Sequence, residues 1–150
     1  MRRRSVTALL ALVVLIAATD AAVAATTRVR VAPAAPGRHS TIRVRFTMPV
    51  TTGRIGQVRR TLAITLSGPP GPGCVSVGDL PLPDRDAGTA MRVTLTPRRL
   101  EGGRWCVGGY TGALVEREQP ACSGGPQQVC PQYVLQTRTL ARFRFRVTGR

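Results

Sequence analysis

The chain has 150 residues, and 22 basic side chains against 7 acidic ones give it a net charge of +15. Such an excess of positive charge indicates partners such as anionic glycans, nucleic acids or lipid headgroups. All 22 basic residues are Arg, and the sequence contains neither Lys nor Asn, so N-glycosylation is excluded. Because both missing residues have A-rich codons, the composition indicates a G+C-rich genome, in which part of the Arg excess would be compositional.

The N-terminus has the three parts of a secretory signal peptide. Residues 2–4 are all Arg, residues 6–18 form a mostly apolar run, and residues 22–24 read Ala-Val-Ala, as a signal peptidase requires. The apolar run is shorter than the roughly 20 residues of a membrane-spanning helix. We therefore expect residues 1–24 to be a cleaved signal peptide, with an uncleaved anchor as the alternative. Residues 25–150 would then be secreted or envelope-associated, without a transmembrane segment after cleavage.

Apolar and polar residues alternate with a period of two after this segment, and no stretch shows sustained helical periodicity. The alternation predicts six β-strands. They span residues 27–31, 41–48, 62–66, 91–95, 105–115 and 140–147, and a seventh is expected at 74–77. About seven short strands separated by Pro- and Gly-rich turns predict a single antiparallel β-sandwich, with one face of each sheet buried.

Arginines occupy the outward positions of several predicted strands. If the strands at 27–31, 41–48 and 91–95 share a sheet, five arginines form one basic face: Arg28, Arg30, Arg43, Arg45 and Arg92. The last strand carries a second patch: Arg142, Arg144 and Arg146. Because aligned like charges on neighbouring strands repel one another, a polyanion would relieve the repulsion. The alternative is a solvated face in an Arg-rich proteome.

Two segments carry a resemblance to known proteins. The opening T-R-V-R-V-A-P-A-A-P-G-R-H-S-T-I-R-V-R-F resembles the first two strands of bacterial extracytoplasmic immunoglobulin-like domains. W-C-V-G-G-Y-T-G together with the closing R-F-R-F-R-V is similar to the last two strands of uncharacterised small secreted actinobacterial proteins. The resemblance implies an immunoglobulin-like sandwich over residues 25–150 and implies no catalytic residue. Tyr110 follows Cys106 instead of preceding it by two residues, which departs from the tyrosine corner of antibody-type domains.

The even number of cysteines in an exported chain favours disulfides over free thiols. The four are Cys74, Cys106, Cys122 and Cys130, for which three pairings are possible. Cys122 and Cys130 bracket a short loop that they can close, which leaves Cys74 to pair with Cys106 and join two separate strands. The alternative, a four-cysteine zinc site, lacks the usual C-x2-C spacing, so no metal is expected.

Few residues could carry catalysis. His39, the only histidine, lies in a turn between two strands, where we expect an exposed residue and not a general base. Asp84 and Asp86 lack the further acidic ligands of a calcium loop. A carboxylate pair for glycoside hydrolysis could be drawn from three glutamates: Glu101, Glu116 and Glu118.

These features predict a secreted or envelope-associated binding or structural module, not an enzyme, with no cofactor. Its partner would be an extracellular protein or glycan. The alternative is a polyanion binder that uses its Arg-lined sheet faces for an anionic envelope polymer, a glycan or lipid headgroups. A small hydrolase is less favoured. Aromatic side chains that could stack on bases are scarce, so specific nucleic-acid binding is not expected.

Overall fold

The structure, a computed structural model, describes residues 27–122 and 133–149. The expected signal peptide and Cys130 lie outside these residues. Within them the chain forms eight strands and a short 3-10 helix, Pro97–Leu100. The strands are β1 (Arg30–Ala32), β2 (Ile42–Thr47), β3 (Gly53–Ile55), β4 (Val58–Ser67), β5 (Val77–Pro81), β6 (Ala90–Leu95), β7 (Gly108–Pro120) and β8 (Gln136–Val147). No helix in this part of the chain is long and apolar enough to cross a membrane.

Sheet A contains three antiparallel strands in the order β1-β2-β6. Burial alternates strictly along the I-R-V-R-F-T sequence of β2, so that its apolar side chains are buried and its arginines are exposed. The register places Val31 opposite Val44, and Val44 opposite Val93. One face of sheet A therefore packs into the core, and the other faces solvent.

Sheet B contains five antiparallel strands, with β4, β7 and β8 side by side. One edge of β4 pairs with β7 along the whole length of β4. The opposite edge is shared by two strands: β3 lies beside residues 58–60, and β5 lies beside residues 63–67. The register between β7 and β8 shifts after Leu114, where Leu140 is an extra residue of β8. This β-bulge shifts the pairing of β8 by one residue, so that Arg138 lies opposite Glu116.

The inner faces of both sheets contribute to one hydrophobic core. Trp105, Tyr110 and Phe145 are its aromatic centre. The Trp105 ring lies edge-on to the other two, with centroids at 5.6 and 6.0 Å, while Tyr110 and Phe145 stack at 4.9 Å. The indole Nε1 of Trp105 donates a hydrogen bond of 2.8 Å to the carbonyl of Ser40. Two antiparallel sheets around a shared core make the fold β-sandwich-like.

A disulfide closes one end of this core. It joins Cys74 and Cys106, whose Cα atoms are 5.1 Å apart, and confirms the predicted pair. Beside it, the buried hydroxyl of Tyr110 donates to the carbonyl of Val75 and accepts a hydrogen bond of 2.9 Å from the backbone N–H of Cys106. Burial raises the pKa of Tyr110 above its ordinary value of 10.0, and the bond from the Cys106 backbone acts in the opposite direction. No described cysteine has a free thiol, and the expected partner of Cys122 lies outside the described residues.

The prediction of an all-β chain with antiparallel strands is confirmed, but some strand bounds differ. β7 begins at Gly108 and not at residue 105, because the backbone N–H of Trp105 donates to the carbonyl of Arg38. The seventh strand lies later than predicted: Cys74 is held by its disulfide, Val75 forms only an isolated bridge to Trp105, and β5 begins at Val77.

Candidate anion-binding face

Three arginines lie side by side across the solvent face of sheet A. Arg30 of β1 is opposite Arg45 of β2, and Arg45 is in turn opposite Arg92 of β6. Since neighbouring strands are about 4.8 Å apart, the outer two Cα atoms are separated by about 10 Å. These three residues, called the Arg row below, place three guanidinium groups within reach of one bound molecule.

Two further arginines flank the Arg row on the same face. Arg28 lies two residues before Arg30, and Arg43 lies two residues before Arg45. Because side chains along an extended strand alternate with a period of two, both face solvent like the Arg row. Arg43 differs from the row because its cross-strand neighbours are Ala32 and Thr94. The expected basic face required β1, β2 and β6 to share a sheet, and they do.

Four of these five arginines border a shallow groove of about 560 Å³. Thr47 and Ala90, which lie opposite each other on β2 and β6, are the smallest side chains in its lining. The groove is lined by Arg28, Arg30, Arg45, Phe46, Thr47, Ala90, Met91 and Arg92. Long arginine side chains around small residues produce a concave, basic site, and Arg43 is not part of it.

The arginines of this face have no ion-pair partner among the described residues. The three strands of sheet A contain no Asp or Glu. In the part of the chain that the structure describes, every ion pair involves a strand of sheet B, and none involves an arginine of the sheet A face. Like charges directly opposite one another on adjacent strands are destabilising. An anion bound across the Arg row would remove that repulsion.

The second predicted patch has a different geometry. Arg142, Arg144 and Arg146 lie on the single strand β8, and their neighbours on β7 are Ala113, Thr111 and Gly109. We call these three arginines the β8 stripe. Two of its members border another shallow groove, of about 520 Å³. The stripe thus runs along one strand, whereas the Arg row crosses three.

A cluster that the sequence did not predict lies at the far end of the inner face of sheet B. The Glu116 carboxylate is 3% exposed and lies between Arg60 of β4 and Arg138 of β8. Arg60 Nε is 2.7 Å from Glu116 Oε1, and Arg138 Nη2 is 2.8 Å from Glu116 Oε2. No N–H of the described residues is aligned with Oε1 for a hydrogen bond, so Arg60 acts on that oxygen through its charge.

Arg60 also binds the second carboxylate of this cluster. Its Nη2 lies 2.8 Å from Glu118 Oε1, and this hydrogen bond raises the pKa of Arg60 despite the opposing effect of burial. With Gln136, these four charged side chains line a small cleft of about 70 Å³. The structure therefore does bring Glu116 and Glu118 together, as the hydrolase alternative would need, but each carboxylate is ion-paired with Arg.

The remaining sequence candidates are dispersed. His39 is exposed in the turn between β1 and β2. Asp84 lies in the loop before β6 and forms an exposed ion pair of 3.2 Å with Arg59. Glu101 lies in a left-handed conformation at the end of the 3-10 helix, with φ of 60°. These residues do not form a common site with one another.

Sequence reasoning missed two parts of the candidate sites. It did not identify Thr47 and Ala90, which had no chemical signal of their own and matter because they are small. It also did not identify the Arg60–Glu116–Arg138 cluster. The one available signal was that Glu116 and Glu118 share a strand face and lie in a chain with few acidic residues.

Comparisons with protein-family models, with curated proteins and with solved structures found no match for this chain.

Proposed function

We propose that this chain is an extracytoplasmic, non-catalytic module that binds an anionic polymer through the solvent face of sheet A. The observation that carries the proposal is the alignment of Arg30, Arg45 and Arg92 on three adjacent strands with no carboxylate on the same sheet. Steric alternation explains why arginines point outward, but it does not require that they face one another. A linear polyanion supplies the missing negative charge.

The extracytoplasmic location is supported by the signal-peptide pattern in the sequence and by the Cys74–Cys106 disulfide. Disulfides persist in oxidising compartments and are rare in the cytosol of mesophiles. Secretion would also bring the protein to the anionic polymers of the cell envelope.

We further propose that the fold is immunoglobulin-like. The strand order supports this: β1-β2-β6 corresponds to the A-B-E edge of one immunoglobulin sheet, and β4-β7-β8 corresponds to C-F-G of the other. The hydroxyl of Tyr110 adds a second argument. Tyr110 follows the cysteine instead of preceding it, but its hydroxyl bonds to the backbone four residues upstream near the start of β7, as the hydroxyl of a tyrosine corner bonds to upstream backbone.

The proposal is tested by binding to immobilised heparin and to long-chain polyphosphate over a range of salt concentrations. The test variant replaces the Arg row (R30Q/R45Q/R92Q), and a matched control replaces the β8 stripe (R142Q/R144Q/R146Q). Both variants lose the same net charge. We expect the row variant to elute at much lower salt and its salt-dependence slope to fall by about 3, roughly one unit per arginine.

Two results would overturn this assignment. If the unaltered protein elutes from both matrices at low salt, it is not a polyanion binder. If the two triple variants shift equally, net charge and not the Arg row determines binding.

Binding of a protein partner is the second candidate, and one feature favours it. Tyr133, Val134 and Leu135, directly before β8, are exposed by 59%, 43% and 52%. Exposed apolar side chains next to one another mark interaction surfaces. A partner bound there would stay bound as salt rises, which distinguishes this candidate from polyanion binding.

A further inference from the structure

The arginines of sheet A are not equivalent, and the groove separates them into two groups. Arg28 and the Arg row border the groove, whereas Arg43 shares the face, the strand and the exposure of Arg45 but lies outside it. If net charge alone attracted the ligand, all five arginines would contribute to binding. A site built around the groove would use four of them.

The shape and chemistry of the groove fit a tetrahedral oxyanion. A guanidinium group donates two parallel hydrogen bonds to such an anion, and a tetrahedral phosphate or sulfate offers oxygens to more than one guanidinium at once. The small side chains of Thr47 and Ala90 leave room for the group, and the Thr47 hydroxyl is a further donor. No carboxylate lines the groove to repel it.

The solvent face of sheet A favours a hydrophilic chain over a bilayer or a nucleic acid. Its outward side chains on the described strands are Arg, Thr and Ala. The large apolar side chains exposed in the described residues, such as Val77, Val107 and Leu135, all lie elsewhere. Phe46 and Met91 also border the groove, but both pack against the core, so the face offers no large apolar side chain to insert into a membrane and no free aromatic ring to stack on a base.

We infer that the groove over Thr47 and Ala90 is a subsite for the tetrahedral oxyanion groups of a linear polymer, bound by Arg28, Arg30, Arg45 and Arg92, with the polymer crossing the strands along the Arg row. This inference rests on the proposed function and adds to it the ligand chemistry and the place of binding. Phosphate and sulfate share this chemistry, and the test separates them.

The closing experiment compares two single variants, R45T and R43T. Both remove one exposed positive charge from the same face of β2, and both introduce the same β-favouring residue. Calorimetric titration with long-chain polyphosphate at low salt should show affinity reduced about tenfold or more for R45T, which loses contacts between charged groups. R43T should lose only about twofold, through weakened long-range attraction.

Polyphosphate, dextran sulfate, polyglutamate and anionic phospholipid vesicles are then compared as ligands of the unaltered protein. We expect binding of polyphosphate or dextran sulfate to exceed binding of polyglutamate, and the stronger of the first two identifies the oxyanion. Equal or stronger binding of polyglutamate contradicts a tetrahedral subsite, and preferential binding of vesicles contradicts a polymer ligand.

The variant pair also separates this inference from the proposed function. If R45T and R43T lose affinity equally while R30Q/R45Q/R92Q elutes at much lower salt than the β8-stripe variant, the groove is not a subsite, but sheet A remains the binding face. If the triple variant binds polyphosphate as the unaltered protein does, the proposed function itself fails. Circular dichroism and thermal unfolding of each variant show that the fold is retained.

Discussion

At the scale of single residues, Tyr110 contributes to the stability of the fold in two ways, because its ring and its hydroxyl contact different groups. The ring stacks on Phe145 inside the core, and the hydroxyl bonds two backbone groups next to the disulfide. Both groups are buried, so removing the hydroxyl leaves a donor and an acceptor without partners. Such unsatisfied groups cost more than the bond itself contributes.

The Tyr110→Phe variant should therefore be less stable at neutral pH by about 1–3 kcal/mol, measured by urea unfolding. The difference should shrink in alkaline solution. Because folding raises the pKa of Tyr110, the folded state holds the phenol proton more tightly than the unfolded state. This contribution is present below pH 10 and is lost as the pH rises through the folded pKa. An unchanged difference across that range would contradict a buried, protonated hydroxyl.

At the scale of elements, the strands in which apolar and polar residues alternate could be predicted from the sequence. The strands that lack this alternation and form only because a neighbouring strand pairs with them could not. β2 and β6 have outward polar and inward apolar residues throughout, so their faces follow from the sequence. β5 reads V-G-D-L-P, whose Gly, Asp and Pro disfavour strands, and it forms because β4 offers it an edge. β3 has only three residues, which is too few for a periodic pattern. It is joined to β4 by a tight turn at Gly56, with φ of 60°.

The candidate site likewise has one part that could be predicted from the sequence and one part that could not. That arginines point outward from β1, β2 and β6 follows from period two alone. That Arg30, Arg45 and Arg92 stand level with one another depends on strand register, which the long connections between these strands do not determine. The ion pair of Glu116 with Arg138 depends on the β-bulge at Leu140, which shifts the register of β8 without a sequence signal.

The disulfide connects the segment before β5 to the segment before β7, and its removal should act on this end of the molecule. Replacing Cys74 and Cys106 together by Ala should lower the free energy of unfolding by about 2–5 kcal/mol. Denaturant unfolding with and without reductant measures the effect. Reductant should change the stability of this variant less than that of the unaltered protein. A double variant as stable as the unaltered protein would show that hydrogen bonds suffice at this end.

The shorter spacing of Cys122 and Cys130 predicts a smaller loss of stability when that pair is replaced.

At the scale of the whole molecule, charge is unevenly divided between the two sheets. The strand residues Asp79, Glu116 and Glu118 all belong to sheet B, where they pair with arginines. On the three strands of sheet A, all charged side chains are arginines. The unbound protein therefore carries like charges opposite one another on sheet A, and a bound anion would neutralise them.

This imbalance predicts that Arg45→Thr stabilises the free protein at low salt, because Arg45 faces an arginine on each side. The gain should be about 0.2–1 kcal/mol and should shrink as salt screens the row. Arg43→Thr is the control: its cross-strand neighbours are Ala32 and Thr94, so it should show only the effect of the new side chain. Thermal unfolding at low and high salt measures both. Equal gains for the two variants would indicate that the Arg row stores no specific repulsion.

The bonds around Val75 have a consequence for how the chain acquires its crosslink. Val75 N–H donates to the carbonyl of Arg104, and the Tyr110 hydroxyl links the carbonyl of Val75 to the N–H of Cys106. These contacts bring the neighbours of both sulfur atoms together without any covalent bond between them. We therefore expect these hydrogen bonds to favour Cys106 over Cys122 and Cys130 as the partner of Cys74 when the reduced chain is oxidised.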